Sequence, residues 1–236
     1  MEALTTQRLL SVWEHGQRRH PIDRALLLYA LAAPDTPPGQ LADAPLGALN
    51  AALFRLHQAC FGRELMAWLD CTACGERMEF VLDASQWPAA SANGNVLIEV
   101  AGHRFQRPTS RHLARLVTLD DEHAAARQLL HDCAEVPEAL PRDEPALAAL
   151  LEAVDTALDE SDPWADLALA MRCPACGHDD TASFDIAGYL WEEFDSQTKR
   201  LLDDIHALAQ AYGWTEHDIL ALSETRRAAY LARIQS

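Results

Sequence analysis

Basic residues are scarce in this chain: 19 Lys and Arg stand against 36 Asp and Glu, a formal charge of −17 over 236 residues. Such a surface repels phosphate backbones and anionic membranes unless a local basic patch overrides it, which argues against nucleic acid as a partner. Long apolar runs are missing as well. The longest, Ala25 to Ala33, has nine residues and follows the charged stretch Gln17-Arg18-Arg19-His20, whereas crossing about 30 Å of hydrocarbon takes roughly 20. No membrane contact is expected. The start, Met1 to Arg8, has no basic region running into an apolar block and a cleavage site, so no secretory signal is expected and the cytoplasm is the expected compartment. Cysteine is sparse too. Six in a chain this long do not make a disulfide scaffold, and in a reducing compartment paired Cys-x-x-Cys patterns read as metal binding or redox chemistry.

Catalytic signatures are also lacking. The chain has no His-Glu-x-x-His, no Gly-x-x-x-x-Gly-Lys-Ser/Thr and no Gly-x-Ser-x-Gly, which removes the usual marks of zinc proteases, phosphate-loop enzymes and serine hydrolases. No His has Glu two residues on, and neither cysteine pair is preceded by Pro, so the zinc deaminase pattern is missing. The acidic runs Asp120-Asp121-Glu122 and Asp159-Glu160-Ser161-Asp162 read as solvated loops or helix ends. An enzyme is not expected.

What is present is apolar periodicity, with about half the residues apolar, enough to bury a real core. Leu9, Leu10, Val12 and Trp13 share one face of a first helix; Pro21-Ile22-Asp23 opens a second through Ala33; Leu49, Ala52, Leu53, Leu56 and Cys60 line a third over 46–60. Residues 1–63 are expected to form a helical bundle. From Glu64 the texture turns to strands around Cys71-Thr72-Ala73-Cys74-Gly75, and Val96 to Phe105 suggests a second hairpin after a Ser91-Ala92-Asn93-Gly94 loop. Residues 64–108 thus hold the first half of a β ribbon. Helical patterns fill an insertion, 109–163, running from Ser110 to about Cys133 and from Pro145 to Leu158. Residues 164–187 repeat the cysteine hairpin around Cys173-Pro174-Ala175-Cys176-Gly177-His178, and 188–236 return to helix, with Gly213 as a C-cap, a Thr215–Asp218 capping box and Ser223 as a final N-cap. The fold class expected is mainly α with a small β zinc ribbon (α+β).

Two Cys-x-x-Cys turns, each followed by glycine, supply the four soft ligands a structural zinc ion takes in a tetrahedron. Cys71, Cys74, Cys173 and Cys176 are the expected ligands of one structural Zn²⁺. The 98 residues between Cys74 and Cys173 exceed the usual 15 to 20 of compact zinc modules. Lengthening a closing loop fivefold costs only about 1.4 kcal/mol, however, against the roughly 10–16 kcal/mol that structural zinc can contribute. A redox dithiol would instead need an exposed, low-pKa cysteine at a helix N-terminus. Cys60 and Cys133 read as buried thiols, and His178 as an exposed turn histidine beside the site. Trp13, Trp68, Trp164, Trp191 and Trp214, scattered and not interleaved with basic residues, read as core or contact positions. Arg226-Arg227 with Tyr230 reads as a solvated helix face or a binding patch.

The C-terminal stretch Leu201-Leu202-Asp203-Asp204-Ile205-His206-Ala207-Leu208-Ala209, with Ala211-Tyr212-Gly213-Trp214-Thr215-Glu216, Asp218 to Ser223 and Arg226-Arg227-Ala228-Ala229-Tyr230-Leu231, resembles the baseplate-associated proteins of contractile phage tails, the T-even baseplate assembly family, and related proteins encoded with phage-tail-like contractile injection particles. The N-terminal Leu9 to Gly16 with Arg24 to Leu28, and the Cys-Pro-Ala-Cys-Gly-His knuckle before Phe184-Asp185-Ile186, look like the injection-particle branch. The resemblance implies a non-enzymatic assembly factor or minor component of the baseplate, working in the cytoplasm or carried into a released particle. Its implied partners are baseplate, hub or spike proteins, and its candidate contact residues are Trp214, Arg226, Arg227 and Tyr230. A zinc-ribbon adaptor in transcription or RNA metabolism is the rival reading, against which the net charge stands.

Overall fold

Helix starts follow the local chemistry. Thr5 Oγ1 accepts from the Arg8 amide and starts α1 (Thr6–Gly16). Pro21 sits in the first turn of α2 (Pro21–Ala32), where its missing N–H costs nothing. α3 (Leu46–Phe61) begins after Pro45 with no side-chain cap of its own. The computed structural model of the chain describes residues 5–83, residue 87 and residues 97–234; the loop expected at Ser91 to Gly94 lies outside them. Among the described residues the sheets are three separate antiparallel pairs: β1 (Glu64–Asp70) with β2 (Arg77–Asp83), β3 (Ile98–Val100) with β4 (His103–Phe105), and β5 (Ala168–Arg172) with β6 (Asp179–Ser183). Helices dominate and the strands are segregated from them, so the fold is mixed α/β of the α+β kind.

The spine is α7 (Ile186–Tyr212), 27 residues long against 5 in α8 (Glu216–Leu220) and 11 in α9 (Glu224–Ile234). Its buried stripe, Ile186, Leu190, Trp191, Phe194, Leu201, Ile205 and Leu208, shares one core with Leu9, Leu10 and Val12 of α1, Leu28 of α2, Leu53 and Phe54 of α3, and Ile219 of α8. The N-terminal and C-terminal thirds therefore bury the same apolar surface. Leu65 of β1 and Leu167, just before β5, join that core from the two cysteine hairpins. Polar locks tie the seams: Trp13 Nε1 donates to Asp195 Oδ1 at 2.7 Å, and Asn50 Nδ2 to the Trp164 carbonyl at 2.8 Å.

A second, smaller core lies in the segment between the hairpins. Ile98 of β3 and Phe105 of β4 pack with Leu130 and Cys133 of α5 (Glu122–Cys133) and Leu150 and Val154 of α6 (Glu144–Ser161). The helical patterns expected from Ser110 to about Cys133 form two helices, α4 (Ser110–Leu116) and α5, divided at the acidic run Asp120-Asp121-Glu122. The reason is local: Thr109 and His112 form a reciprocal capping box for α4, and Asp121 Oδ1 accepts from the His123 amide to start α5 afresh. At the C-terminus the expected signals act as read. Gly213 ends α7 in the left-handed region at φ 66°, Thr215 and Asp218 cap α8 reciprocally, and Ser223 Oγ accepts from the Arg226 amide.

Two side chains depart from the sequence reading. Asp162 is not solvated; it is 1% exposed, at the end of α6 and against Gly47 in the first turn of α3. Trp68, expected in a core or contact, is 64% exposed, because strand alternation turns Leu65, Ala67 and Leu69 inward and Met66 and Trp68 outward. Buried His57 sits between the rings of Phe61 and Tyr189, centroids 5.5 and 5.6 Å away, with no partner for Nδ1 among the described residues; burial lowers its pKa.

Close packing makes Gly47 irreplaceable: a Cβ there would fall inside the Asp162 carboxylate, whereas one on Gly39 would meet nothing within 4 Å. Gly47→Ala is expected to cost about 1–3 kcal/mol in denaturant unfolding, and Gly39→Ala to stay within about 0.5 kcal/mol of the parent. The His57 effect has a defined sign. Its folded pKa lies below the unfolded value of about 6.5, so the unfolded chain takes up the proton first and stability is lost as pH falls through that window. A His57→Phe chain should lose less stability than the parent between about pH 7 and about pH 5, measured by the same denaturant titrations.

Candidate metal centre

Each cysteine pair occupies the turn of a hairpin, and the two turns are built alike. In the first, the Cys71 amide donates to the Glu76 carbonyl at 2.8 Å and the Gly75 amide to the Cys71 carbonyl at 2.8 Å; in the second, the Cys173 amide donates to the His178 carbonyl at 2.8 Å and the Gly177 amide to the Cys173 carbonyl at 2.9 Å. Gly75 and Gly177 take φ of 74° and 73°, a left-handed conformation that penalises any residue with a Cβ. Directly behind the turns the strands pair Asp70 with Arg77 and Arg172 with Asp179. The same cross-strand ion pair thus closes both knuckles with its charges exchanged, at 3.0 Å in one and 3.9 Å in the other.

The two knuckles meet face to face. Cys71 Sγ lies 3.7 Å from Cys176 Sγ, and Cys74 Sγ 3.7 Å from Cys173 Sγ; all four sulfurs are within 4.8 Å of one another. A disulfide would require about 2.05 Å. A tetrahedron of sulfurs around an ion at about 2.3 Å has edges of about 3.8 Å, so the spacing and the donor set are compatible with a metal site drawing two ligands from each knuckle. Thr72 donates across the junction to Asp180 Oδ2 at 2.6 Å, and Cys71, Cys173 and Met78 are buried together with Phe80 and Met171 packed on them.

Main-chain amides set the charge of the sulfurs. The amides of Cys176 and, secondarily, Ala175 hold the Cys173 thiol down at about 7. The Glu76 amide favours a Cys74 thiolate too, yet the adjoining thiols, Cys176 foremost, and desolvation push it up to about 12. One negative charge is easily carried and the next is resisted, the condition that a bound cation relieves by neutralising several thiolates at once. Neither knuckle opens a helix: both lie between antiparallel strands. The helix N-terminus that activates redox dithiols is therefore missing from both.

The other candidate residues fall elsewhere. His178 is exposed and serves the second knuckle through its main chain. Burial raises the pKa of Cys60, and it pushes the Cys133 thiol, 3.7 Å from His112 Nδ1, up to about 12. Trp214 and Tyr230 are half-buried and meet edge to face at 4.8 Å, with Tyr212 stacked on Trp214 at 4.7 Å. Arg226 is exposed, but Arg227 is turned inward, its Nε 3.5 Å from Asp204 of α7, so the two arginines do not share a surface. Sequence reasoning missed the outward face of the first cysteine hairpin. Its signal was there: apolar residues at both parities of a strand, Met66 and Trp68 as well as Leu65 and Leu69.

Compared with family models, curated proteins and solved structures, the chain matches none. No helix among the described residues is long and apolar enough to cross a membrane. The site thus stands on its own geometry, a junction of two matched knuckles whose four cysteines are compatible with a metal site.

Removing one sulfur should separate ligand cysteines from the others. Cys71→Ser and Cys173→Ser are each expected to lose stoichiometric metal and to lower the melting temperature, since three thiolates hold an ion far more weakly. Cys60→Ser should retain both, read by elemental analysis of the purified chains and thermal unfolding.

Proposed function

We propose that this protein is a non-enzymatic assembly factor or minor component of a contractile phage-tail-like baseplate, with one structural zinc ion clamping its two cysteine hairpins. The observation that carries the reading is the C-terminal block 201–231, whose distinctive residues resemble the T-even baseplate assembly family. The local roles of those residues are in keeping with it: Gly213 and the Thr215–Asp218 box turn α7 sharply into α8, and Tyr212, Trp214 and Tyr230 make one aromatic cluster.

Zinc is the ion we assign to the four sulfurs. Tetrahedral all-thiolate sites suit zinc or iron, and zinc adds no redox chemistry to a site whose role is to close the fold. Four thiolates fill the tetrahedron, so the ion would have no open position for substrate or water. That supports a structural role and a protein that acts through its surfaces. Cys71, Cys74, Cys173 and Cys176 would hold the ion; it would supply cross-linking strength and neutralise their charge.

The rival adaptor in transcription or RNA metabolism calls for a basic face, against which the net charge of −17 stands. A tagged pull-down from producing cells, quantified in the soluble fraction and in purified particles, decides between them. Baseplate, hub or spike proteins are expected in the pull-down, and presence at a fixed ratio in finished particles would make the protein a component rather than a departing factor. Recovery of RNA polymerase or RNA-binding proteins without tail proteins would overturn the reading.

A further inference from the structure

The two cysteine hairpins correspond residue for residue at a fixed offset of 102, the spacing of Cys71 to Cys173 and of Cys74 to Cys176. Their inward faces are alike in character: Leu65, Ala67 and Leu69 of β1 correspond to Leu167, Leu169 and Met171 at β5, all buried or half-buried. Their outward faces are not. Met66, Trp68 and Val81 stand 62%, 64% and 56% exposed on the first hairpin; the matching positions of the second are Ala168, Ala170 and Ser183. The second hairpin shows that the knuckle needs no large apolar residue on this side. The first carries three.

Those three form one patch. Met66 pairs directly with Val81 across the strands, and Trp68 lies one pleat along on the same face, within reach of the Val81 side chain. An exposed Trp and Met beside a Val on one strand face carry the aromatic and methionine enrichment of an interface. The surroundings are mainly acidic. Glu79 is paired directly across from Trp68, and Glu64 lies two residues from Met66; both are exposed, and neither makes an ion pair among the described residues. Arg77, the cation that these strands place on this face, is engaged with Asp70 through both Nε and Nη2 and also feels the Glu79 carboxylate, so it offsets only part of the acidic rim. The second hairpin again differs, with Thr181 in place of Glu79.

We propose that the outward face of β1–β2 is the docking site for a protein segment that sets Lys or Arg beside apolar residues. Its apolar side chains cover Met66 and Val81, and a cation lies over the Trp68 indole with its charge against Glu79, an arrangement in which the ring quadrupole and the carboxylate attract the same group. A second copy of the chain is disfavoured, since it would bring another acidic rim and a further −17 of charge against this one. This docking site rests on the hairpin alone and does not depend on the baseplate reading.

The test places a photoreactive residue on the face, Met66→p-benzoyl-phenylalanine, in the full-length chain in producing cells, with Ala168→p-benzoyl-phenylalanine on the matching face as the reference. The cross-linked peptide is then sequenced. The expected result is one partner peptide carrying Lys or Arg next to apolar residues, captured at position 66 at least tenfold above position 168. Two further changes should each reduce capture tenfold or more while metal content and melting temperature hold: Trp68→Ala with Val81→Ser, which copies the second hairpin's own face, and Glu79→Lys. Reversing the partner's basic residue to Glu should restore capture by the Glu79→Lys chain. Cross-links to another copy of this chain, to lipid, to a peptide without basic residues, or equal capture at both positions would overturn the proposal. A basic segment from a protein outside contractile particles would leave this inference standing and remove the baseplate reading; tail proteins recovered without capture at position 66 would do the reverse.

Discussion

Four sulfurs drawn from turns 98 residues apart must converge on a volume smaller than one side chain, and much of the remaining architecture answers to that requirement. Everything between Cys74 and Cys173 has to leave and return to the same place. The intervening chain does so as a body with its own core, β3–β4 against α5 and α6, instead of a slack loop whose ordering would weigh against the junction. The logarithmic growth of closure entropy explains why so long an insertion is tolerated.

The junction is also anchored to the helices. Leu65 and Leu167 reach from the two hairpins into the main core, and the Met66 amide donates to the Tyr189 hydroxyl on α7 at 3.1 Å. α7 thereby holds the first hairpin through Tyr189, and it begins within a few residues of the end of the second. The cysteine hairpins therefore join the helical core through Leu65 and Leu167, while Cys71, Met78 and Cys173, with Phe80 and Met171, form a separate small cluster around the sulfurs. The matched knuckles differ in one respect: both bring cysteines to the junction, while only the first bears large apolar residues on its outer side.

Local signals in the sequence were legible where short-range chemistry decides. The cysteine spacing, the glycines after each pair, Gly213, the Thr215–Asp218 box and Ser223 each act through neighbours within a few residues, and the helical and hairpin elements stand where periodicity put them. What could not be read depends on distant partners. Asp162 looks like part of an acidic surface run until Gly47 of α3, far upstream, packs against it. Arg227 looks like half of a basic pair until Asp204 faces it on another helix. The break between α4 and α5 falls at the acidic run Asp120-Asp121-Glu122, where Asp121 caps α5, and the outward turn of Trp68 follows from its place in the strand, which residue type alone does not show. Both were decided by capping and strand parity, which outweigh composition.

We propose that one zinc ion joins the two knuckles. X-ray absorption at the metal edge of the purified full-length chain, combined with its metal stoichiometry, tests it most directly. One zinc per chain with four sulfur neighbours at about 2.3 Å is the predicted result. Nitrogen or oxygen in the shell, two ions per chain, or four free thiols in a fully folded metal-free protein would contradict it.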